Sequence, residues 1–281
     1  VNPALFLIAF VLGIVVGYQV VLLVTRRGKP KYFASAEYWV FLPGEVMPTQ
    51  DAVMTRMVAQ NPYARRGTSP VGAAEGLLFS DVRLHIALVL RNKNASAFRP
   101  DLFDANSEAS AEVLELLNDA KSFVRLRYVS EDPLGDRRHL QFLPHAADAV
   151  AELGDGRLIY DKSAERFYLR EELQELLRER FDVTGAEAHT RVVWNREGDG
   201  GWIETRGLVK VGHRELRAGP LDHDQRVVVT NVMEEAMRHL WEVRTFPSDL
   251  EVGAFDDRFK LFFGQARDRF VPVQVARVKT A

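Results

Sequence analysis

Ala4-Leu-Phe-Leu-Ile-Ala9-Phe-Val-Leu-Gly13-Ile-Val-Val-Gly17-Tyr-Gln19-Val-Val-Leu-Leu-Val24 runs for 21 residues without a charge, and Gln19 is its one strongly polar side chain. As a helix this stretch would be roughly 31 Å long, close to the hydrocarbon thickness of a bilayer. Fifteen of the 21 residues are Leu, Ile, Val or Phe, which outweigh Gln19 and two glycines on an insertion scale. A buried helix of a globular protein normally keeps a polar face, and this stretch has none. The reading is a single N-terminal transmembrane helix, residues 1–25.

The charges beside it are one-sided. Arg26, Arg27, Lys29 and Lys31 follow the apolar run closely. The positive-inside rule then expects the N-terminus outside and the remainder cytoplasmic, at a bacterial inner membrane. A cleaved signal peptide carries its charge before the apolar run, so Ala34-Ser35-Ala36 is read as linker and not as a cleavage site. Ala9, Gly13 and Gly17 recur every four residues, the small-residue spacing at which two membrane helices pack closely. A second copy, giving a homodimer, and a different membrane subunit both fit that face.

Beyond a basic linker at 26–36 lie some 245 residues, enough for one large domain or two small ones. The whole chain is 47% hydrophobic and 27% charged with a net charge of −2, so no basic excess points to nucleic acid. It has no Cys, which removes disulfides, thiolate metal sites and cysteine nucleophiles.

Alternation and turn residues predict strands at Glu37–Leu42, Phe123–Val129, His139–Leu143 and Arg157–Tyr160. One or two more are expected within Leu77–Leu90. Thr190–Trp194 and Trp202–Thr205 read as a hairpin around Gly198-Asp-Gly-Gly201, and Phe259–Phe263 with Phe270–Val278 as a final pair. Helices are expected over Pro48–Gln60, from an Asn106 or Ser107 cap to Asn118, from Pro144 to Gly154, over Arg170–Arg180, and over most of Asp222–Arg244. Hairpins outnumber strict βαβ units. The expected fold is therefore α+β, a mixed, mostly antiparallel sheet domain with flanking helices behind the membrane helix. Its expected bounds are 37–245, with two sub-lobes dividing near 120, and a C-terminal β segment at 246–281.

Three segments together resemble a family of uncharacterised bacterial domains of unknown function. They are Leu158-Ile-Tyr-Asp161 with Phe167-Tyr-Leu-Arg-Glu-Glu-Leu173, then Trp202-Ile-Glu-Thr205-Arg206-Gly207-Leu208-Val-Lys210-Val-Gly212-His-Arg-Glu215-Leu216, and the helix around Asn231. The second segment is similar to the family's Trp-x-x-Thr-[Arg/His]-Gly-[Leu/Met] signature, and the likeness covers roughly residues 120–245. It implies an α+β fold and brings no activity, ligand or catalytic residue. The N-terminal apolar helix departs from the family's pattern.

No phosphate loop, dinucleotide fingerprint, Gly-x-Ser-x-Gly elbow or His-Glu-x-x-His occurs. The seven histidines form no helical i, i+4 pair, so neither a metal nor a cofactor is expected. Asp222-His223-Asp224 is read as the cap of the long helix, and Asp256-Asp257 as a turn. The densest basic cluster is Arg206, Lys210, His213, Arg214 and Arg217. It fits an anion, acidic side chains of a partner, or a solvated rim.

These observations favour a non-catalytic, membrane-anchored accessory or scaffolding subunit of a larger membrane complex. Single-helix peripheral subunits of this shape occur in energy-converting complexes, respiratory or photosynthetic. Two other readings stand beside it: a membrane-tethered anion-binding sensor using the 206–217 cluster, and an enzyme whose site has no local signature.

Overall fold

The structure, a computed structural model, describes residues 33–64, 69–103 and 109–278. Ala9, Gly13, Gly17, Arg26, Arg27, Lys29 and Lys31 lie outside them. Among the described residues no helix is long and apolar enough to cross a membrane. The single-pass membrane architecture is therefore corrected: what the structure presents is an α+β domain with two sheets, and the segment read as a span falls outside it.

Sheet one has the order β2-β3-β1-β4-β5, with every neighbouring pair antiparallel. Its strands are β1 (Ala34–Leu42), β2 (Leu84–Leu90), β3 (Ser122–Ser130), β4 (Leu158–Asp161) and β5 (Arg166–Leu169). The central strand β1 is apolar on both sides because both sides are covered. Its Ala36, Tyr38, Val40 and Leu42 join a core beneath helix α4 (Arg138–Leu153). Its Trp39 and Phe41 enter an aromatic layer with Phe98, Phe103, Phe123, Tyr160 and Phe167. There the Trp39 ring stacks on Phe123 at 4.5 Å. Helix α3 (Ala111–Asp119) closes this layer with Val113 and Leu117. Its N-cap is Ser110, which accepts from the Val113 N–H at 3.3 Å, and not Asn106 or Ser107, which lie outside the described residues.

Sheet two has the order β6-β7-β8-β11-β10-β9. It comprises β6 (Arg191–Glu197), β7 (Gly200–Arg206), β8 (Glu215–Asp222), β9 (Asp249–Ala254), β10 (Asp257–Phe263) and β11 (Phe270–Val278). Only β8 and β11 pair in parallel. Four shorter or amphipathic helices complete the domain: α1 (Gln50–Met54), α2 (Ala73–Gly76), α5 (Arg170–Glu179) and α6 (Ala186–His189). The long helix α7 (Arg226–Glu242) lays Val229, Val232, Met233, Ala236, Leu240 and Trp241 into the core of sheet two.

Three sequence expectations change at the level of elements. His139–Leu143 is not a strand, and Pro144 is not a first helical residue; both sit inside α4. Every residue from His139 to Ala151 is buried, with Leu140 in the second core and Phe142 and Leu143 in the first. A helix covered on all sides loses the polar face that periodicity needs, and a short apolar window then reads as a strand. The helix predicted over Pro48–Gln60 is α1 continued by a π-helical turn at Thr55–Ala59. Leu77–Leu90 is a 3-10 turn over Leu77–Ser80 and a single strand, β2.

Trp241 is fully buried at the end of α7; its indole N–H donates to the Thr184 carbonyl at 2.9 Å and its ring stacks on His189. Trp241→Ala is expected to cost about 3–5 kcal/mol in urea unfolding, the range for a large aromatic deleted from a core. A loss below about 1 kcal/mol would show that α7 is not anchored through this ring.

Candidate functional site

The Trp202–Leu216 segment folds as a strand, a tight turn and a strand. Strand β7 ends at Arg206, and Gly207 follows with φ of 104°. A Cβ at Gly207 would stand 2.2 Å from the His189 carbonyl oxygen, so both conformation and space require glycine here. Leu208–Val211 makes one 3-10 turn before β8 starts at Glu215. The Glu215 carboxylate turns back and accepts from the Gly207 N–H at 2.9 Å, the Val209 N–H at 3.3 Å and the Thr205 hydroxyl at 2.8 Å. Thr205 in turn accepts from the Leu216 N–H at 2.7 Å. These bonds satisfy the polar groups that the turn would otherwise bury unpaired. Burial pushes the Glu215 carboxyl above its usual value, against the pull of those donors.

This turn aims Lys210 into the protein. Its side chain has no exposure, and neither has that of Asp161 at the end of β4; Nζ and Oδ2 are 2.5 Å apart. Lys210 also donates to His189 Nδ1 at 3.2 Å and to the Tyr38 hydroxyl at 3.4 Å. His189 Nε2 donates to the Val183 carbonyl at 2.7 Å, which leaves Nδ1 as the acceptor. The other Asp161 oxygen accepts from the N–H groups of Ser163 and Ala164 at 3.1 Å each. His139 reaches the Lys210 carbonyl at 3.1 Å and stacks on Tyr128. Burial lowers both the Lys210 ammonium and the His189 imidazole, the latter well below its ordinary value; the Lys210 charge acts on His189 in the same direction. Burial, followed by the Asp161 charge, raises the Tyr38 phenol well above its ordinary value.

The five basic residues singled out from sequence do not share one surface. Lys210 belongs to this interior hub. Arg206 is 2% exposed, paired with Glu165 at 2.8 Å and with Glu204. Arg217 joins Glu204 from the other side and lies over the Phe270 ring at 4.0 Å. His213 donates to the Val243 carbonyl at 2.8 Å, past the end of α7. Arg214 lines a cavity of about 210 Å³ together with Phe33, Lys162, Glu165, Arg206 and Arg269. Glu165 bridges Arg206 and Arg269 at that cavity, and Asp268 and Glu215 add further acid. Three members of the basic run are thus paired, Arg206 with the remote Glu165 and the adjacent Glu204, Lys210 with the remote Asp161, and Arg217 with Glu204, while His213 and Arg214 line the same cavity as Arg206.

A second buried cluster gave no sequence signal. Asp148 of α4 has no exposure and accepts from Arg56 at 2.8 Å and the Tyr63 hydroxyl at 2.9 Å. Arg56 and Arg170 meet again on Glu152, at 2.7 and 2.8 Å. His145 packs edge-on to the Tyr63 ring, and its Nε2 has no hydrogen-bond partner among the described residues. Among those residues no group of three or more His, Asp or Glu could hold a metal ion.

The hub makes two quantitative demands. Lys210→Met strands the Asp161 charge in the interior and is expected to cost about 3–5 kcal/mol, whereas Lys210→Met with Asp161→Leu is expected to recover most of it. Equal destabilisation by the single and double variants in urea titrations would refute the pairing. The pH dependence follows from three buried histidines: His139 and His145, both lowered by burial from 6.5 to about 4, and His189, lowered well below its ordinary value. Below pH 6.5 the unfolded chain takes up protons that the fold refuses. Stability is therefore full above that pH and falls by up to about 1.4 kcal/mol per pH unit for each histidine until about pH 4. Glu215, raised by burial, acts in the opposite direction near the usual carboxylate range. A urea midpoint that drops from pH 7 to pH 5, less steeply in His145→Phe, is the expected result; one that stays level contradicts it.

No protein family, curated protein or solved structure matches this chain.

Proposed function

We propose that the chain is a non-catalytic accessory or scaffolding subunit of a larger assembly. The observation that carries this reading is the fate of the basic cluster. The residues best suited to hold a ligand, Arg206 and Lys210, are buried and bound to Glu165, Glu204 and Asp161. Their charge acts to join segments of the chain into a fixed frame. A catalytic or sensing group needs an approach for its ligand, and the side chains of Lys210 and Asp161 are wholly enclosed.

What remains on the outside suits contact with other macromolecules. A cavity of about 520 Å³ opens at the end of α7 between Leu134, Val211, Trp241 and Val243, with Arg137 and Glu242 at its rim. Val46, Leu77, Val82, Val227 and Phe255 present large apolar side chains to solvent.

One observation favours a second reading, an anion-binding module: the 210 Å³ cavity carries Lys162, Arg206, Arg214 and Arg269. Against it, an anion there must compete with Glu165 for Arg206 and Arg269.

Isolating the full chain from the cells that make it, under mild conditions, tests the subunit reading. The expected result is a complex holding a different polypeptide in fixed ratio. Recovery of this chain without any other polypeptide would sink the reading. Inorganic phosphate and nucleotides are expected to leave the melting temperature unchanged; a saturable rise would move the assignment to the anion-binding module.

A further inference from the structure

Among the described residues strand β2 is an edge of sheet one, paired on one side only, with β3. The phase of that pairing is set by two bonds at its ends. The Arg91 N–H donates to the Lys121 carbonyl at 2.9 Å, and the Val129 N–H donates to the Arg83 carbonyl at 3.0 Å. Odd-numbered residues of β2 therefore bond to β3, and the N–H and C=O groups of Leu84, Ile86, Leu88 and Leu90 point off the edge. Two of these eight groups are satisfied locally. The Leu84 N–H donates to the Asp81 carbonyl, and the Leu90 carbonyl accepts from the N–H groups of Lys93 and Asn94. The Leu84 carbonyl, both groups of Ile86, both groups of Leu88 and the Leu90 N–H have no bond to any described residue.

Edge strands usually carry charge, proline or a bulge that discourages pairing. Leu-His-Ile-Ala-Leu-Val-Leu has none of these. The other edges differ: β5 has four residues and begins with Arg166, β6 carries Arg191, Arg196 and Glu197, and β9 carries Asp249 and Glu251. Beside β2, Leu77 and Val82 are 70% and 89% exposed.

We propose that β2 pairs antiparallel with β2 of a second copy of this chain, about a two-fold axis at Ala87. The two five-stranded sheets then join into one of ten strands. The occupant follows from the open groups themselves. With Ala87 opposite Ala87, Ile86 faces the second copy's Leu88 and Leu84 faces its Leu90. Every open donor then meets an open acceptor, and the two groups already satisfied, the Leu84 N–H and the Leu90 carbonyl, fall opposite each other. Sliding the pair by two residues in either direction places a satisfied group against an open one and loses bonds. The self-pairing register is thus the one that the ends of β2 select. The same register sets Leu against Leu and Ile against Leu on the face that packs on the α4 core. It sets His85 against Val89 on the aromatic face. It also brings the Asp81 end of one strand beside the Lys93 end of the other. Arg83 stays bound to Asp81, and Arg91 is turned inward to the carbonyls of Leu117 and Ala120. This inference does not depend on the accessory-subunit reading, which concerns a different polypeptide.

The test uses the full chain, whose lack of cysteine makes any introduced thiol unique. Ala87 would face its counterpart as a non-hydrogen-bonded pair, with Cβ atoms about 4.5 Å apart, close enough for a disulfide. In Ala87→Cys a covalent dimer is expected to form on mild oxidation, whereas His85→Cys alone should stay uncrosslinked. In sedimentation the unaltered chain is expected at twice its 31.8 kDa mass. Ala87→Lys and Ala87→Glu should each weaken the dimer about five-fold or more, and mixing the two should restore it. Each variant is first shown to melt as the parent does; one that does not is replaced by Leu88→Pro, which removes an outward N–H and no bond to β3. A monomeric parent chain, a dimer that neither charge disturbs, or a dimer that Ala87→Cys fails to link would overturn the proposal. The last two would place the contact on another surface, and the first would leave β2 to a strand of some other chain.

Discussion

The Lys210–Asp161 pair sets the terms for the rest of the molecule. An ammonium removed from water loses several kcal/mol of solvation, and a partner at 2.5 Å with further hydrogen bonds offsets that loss only when its placement is strict. Asp161 belongs to the last position of β4 in sheet one, and Lys210 to the turn that follows β7 in sheet two. The pair therefore ties the two sheets at one point. Its contribution is to position more than to net stability, because a pair of apolar residues filling the same volume would carry no desolvation cost. Strictness at the acid comes from the Ser163 and Ala164 N–H groups, and at the base from Glu215, which fixes the turn carrying Lys210. Gly207 permits that turn, and His189, Tyr38 and the Lys210 carbonyl's partner His139 fill the space around it.

Helix α4 occupies the layer between the two cores, and its sequence shows the consequences. Its residues are apolar on both sides, so its polar members, His139, Gln141, His145 and Asp148, need interior partners. Gln141 bonds the Phe181 carbonyl and the Val183 N–H, and Asp148 holds Arg56 and Tyr63. Pro144 removes one helical N–H and leaves the Leu140 carbonyl four residues earlier without its usual donor.

How much of this was legible depended on whether a local pattern survived burial. β1, β3, the β6–β7 hairpin and the β10–β11 pair were readable from alternation and turn residues, and α5 from its leucines at helical spacing. His139–Leu143 reads as a strand and folds as helix because an all-buried helix presents no polar face. The basic cluster misled for a different reason. Arg206, Lys210 and Arg217 are close in sequence, while Glu165 and Asp161 lie more than forty residues away. Net charge over a window cannot show that a remote carboxylate will be folded against it. The clue lay in the immediate neighbours: Gly207-Leu208-Val209 and Val211-Gly212 enclose Lys210 in an apolar, glycine-bounded stretch, which suits a turn closed on itself better than a rim. The N-terminal apolar run lies outside the described residues.

The hub and the open edge are mechanically connected. Tyr38 stands in β1, which pairs along its whole length with β3, and β3 pairs along the whole of β2. Clamping β1 between the Lys210 hub on one face and the Trp39–Phe123 stack on the other fixes the twist of that three-strand unit. The outward groups of Ile86 and Leu88 are then held in a row before any partner arrives. Association through such a row gives up less conformational entropy than association through a mobile strand, and this pre-organisation is what lets a short seam hold. A charged interior hub and an uncharged edge are in this sense one arrangement: the first makes the second rigid enough to be recognised.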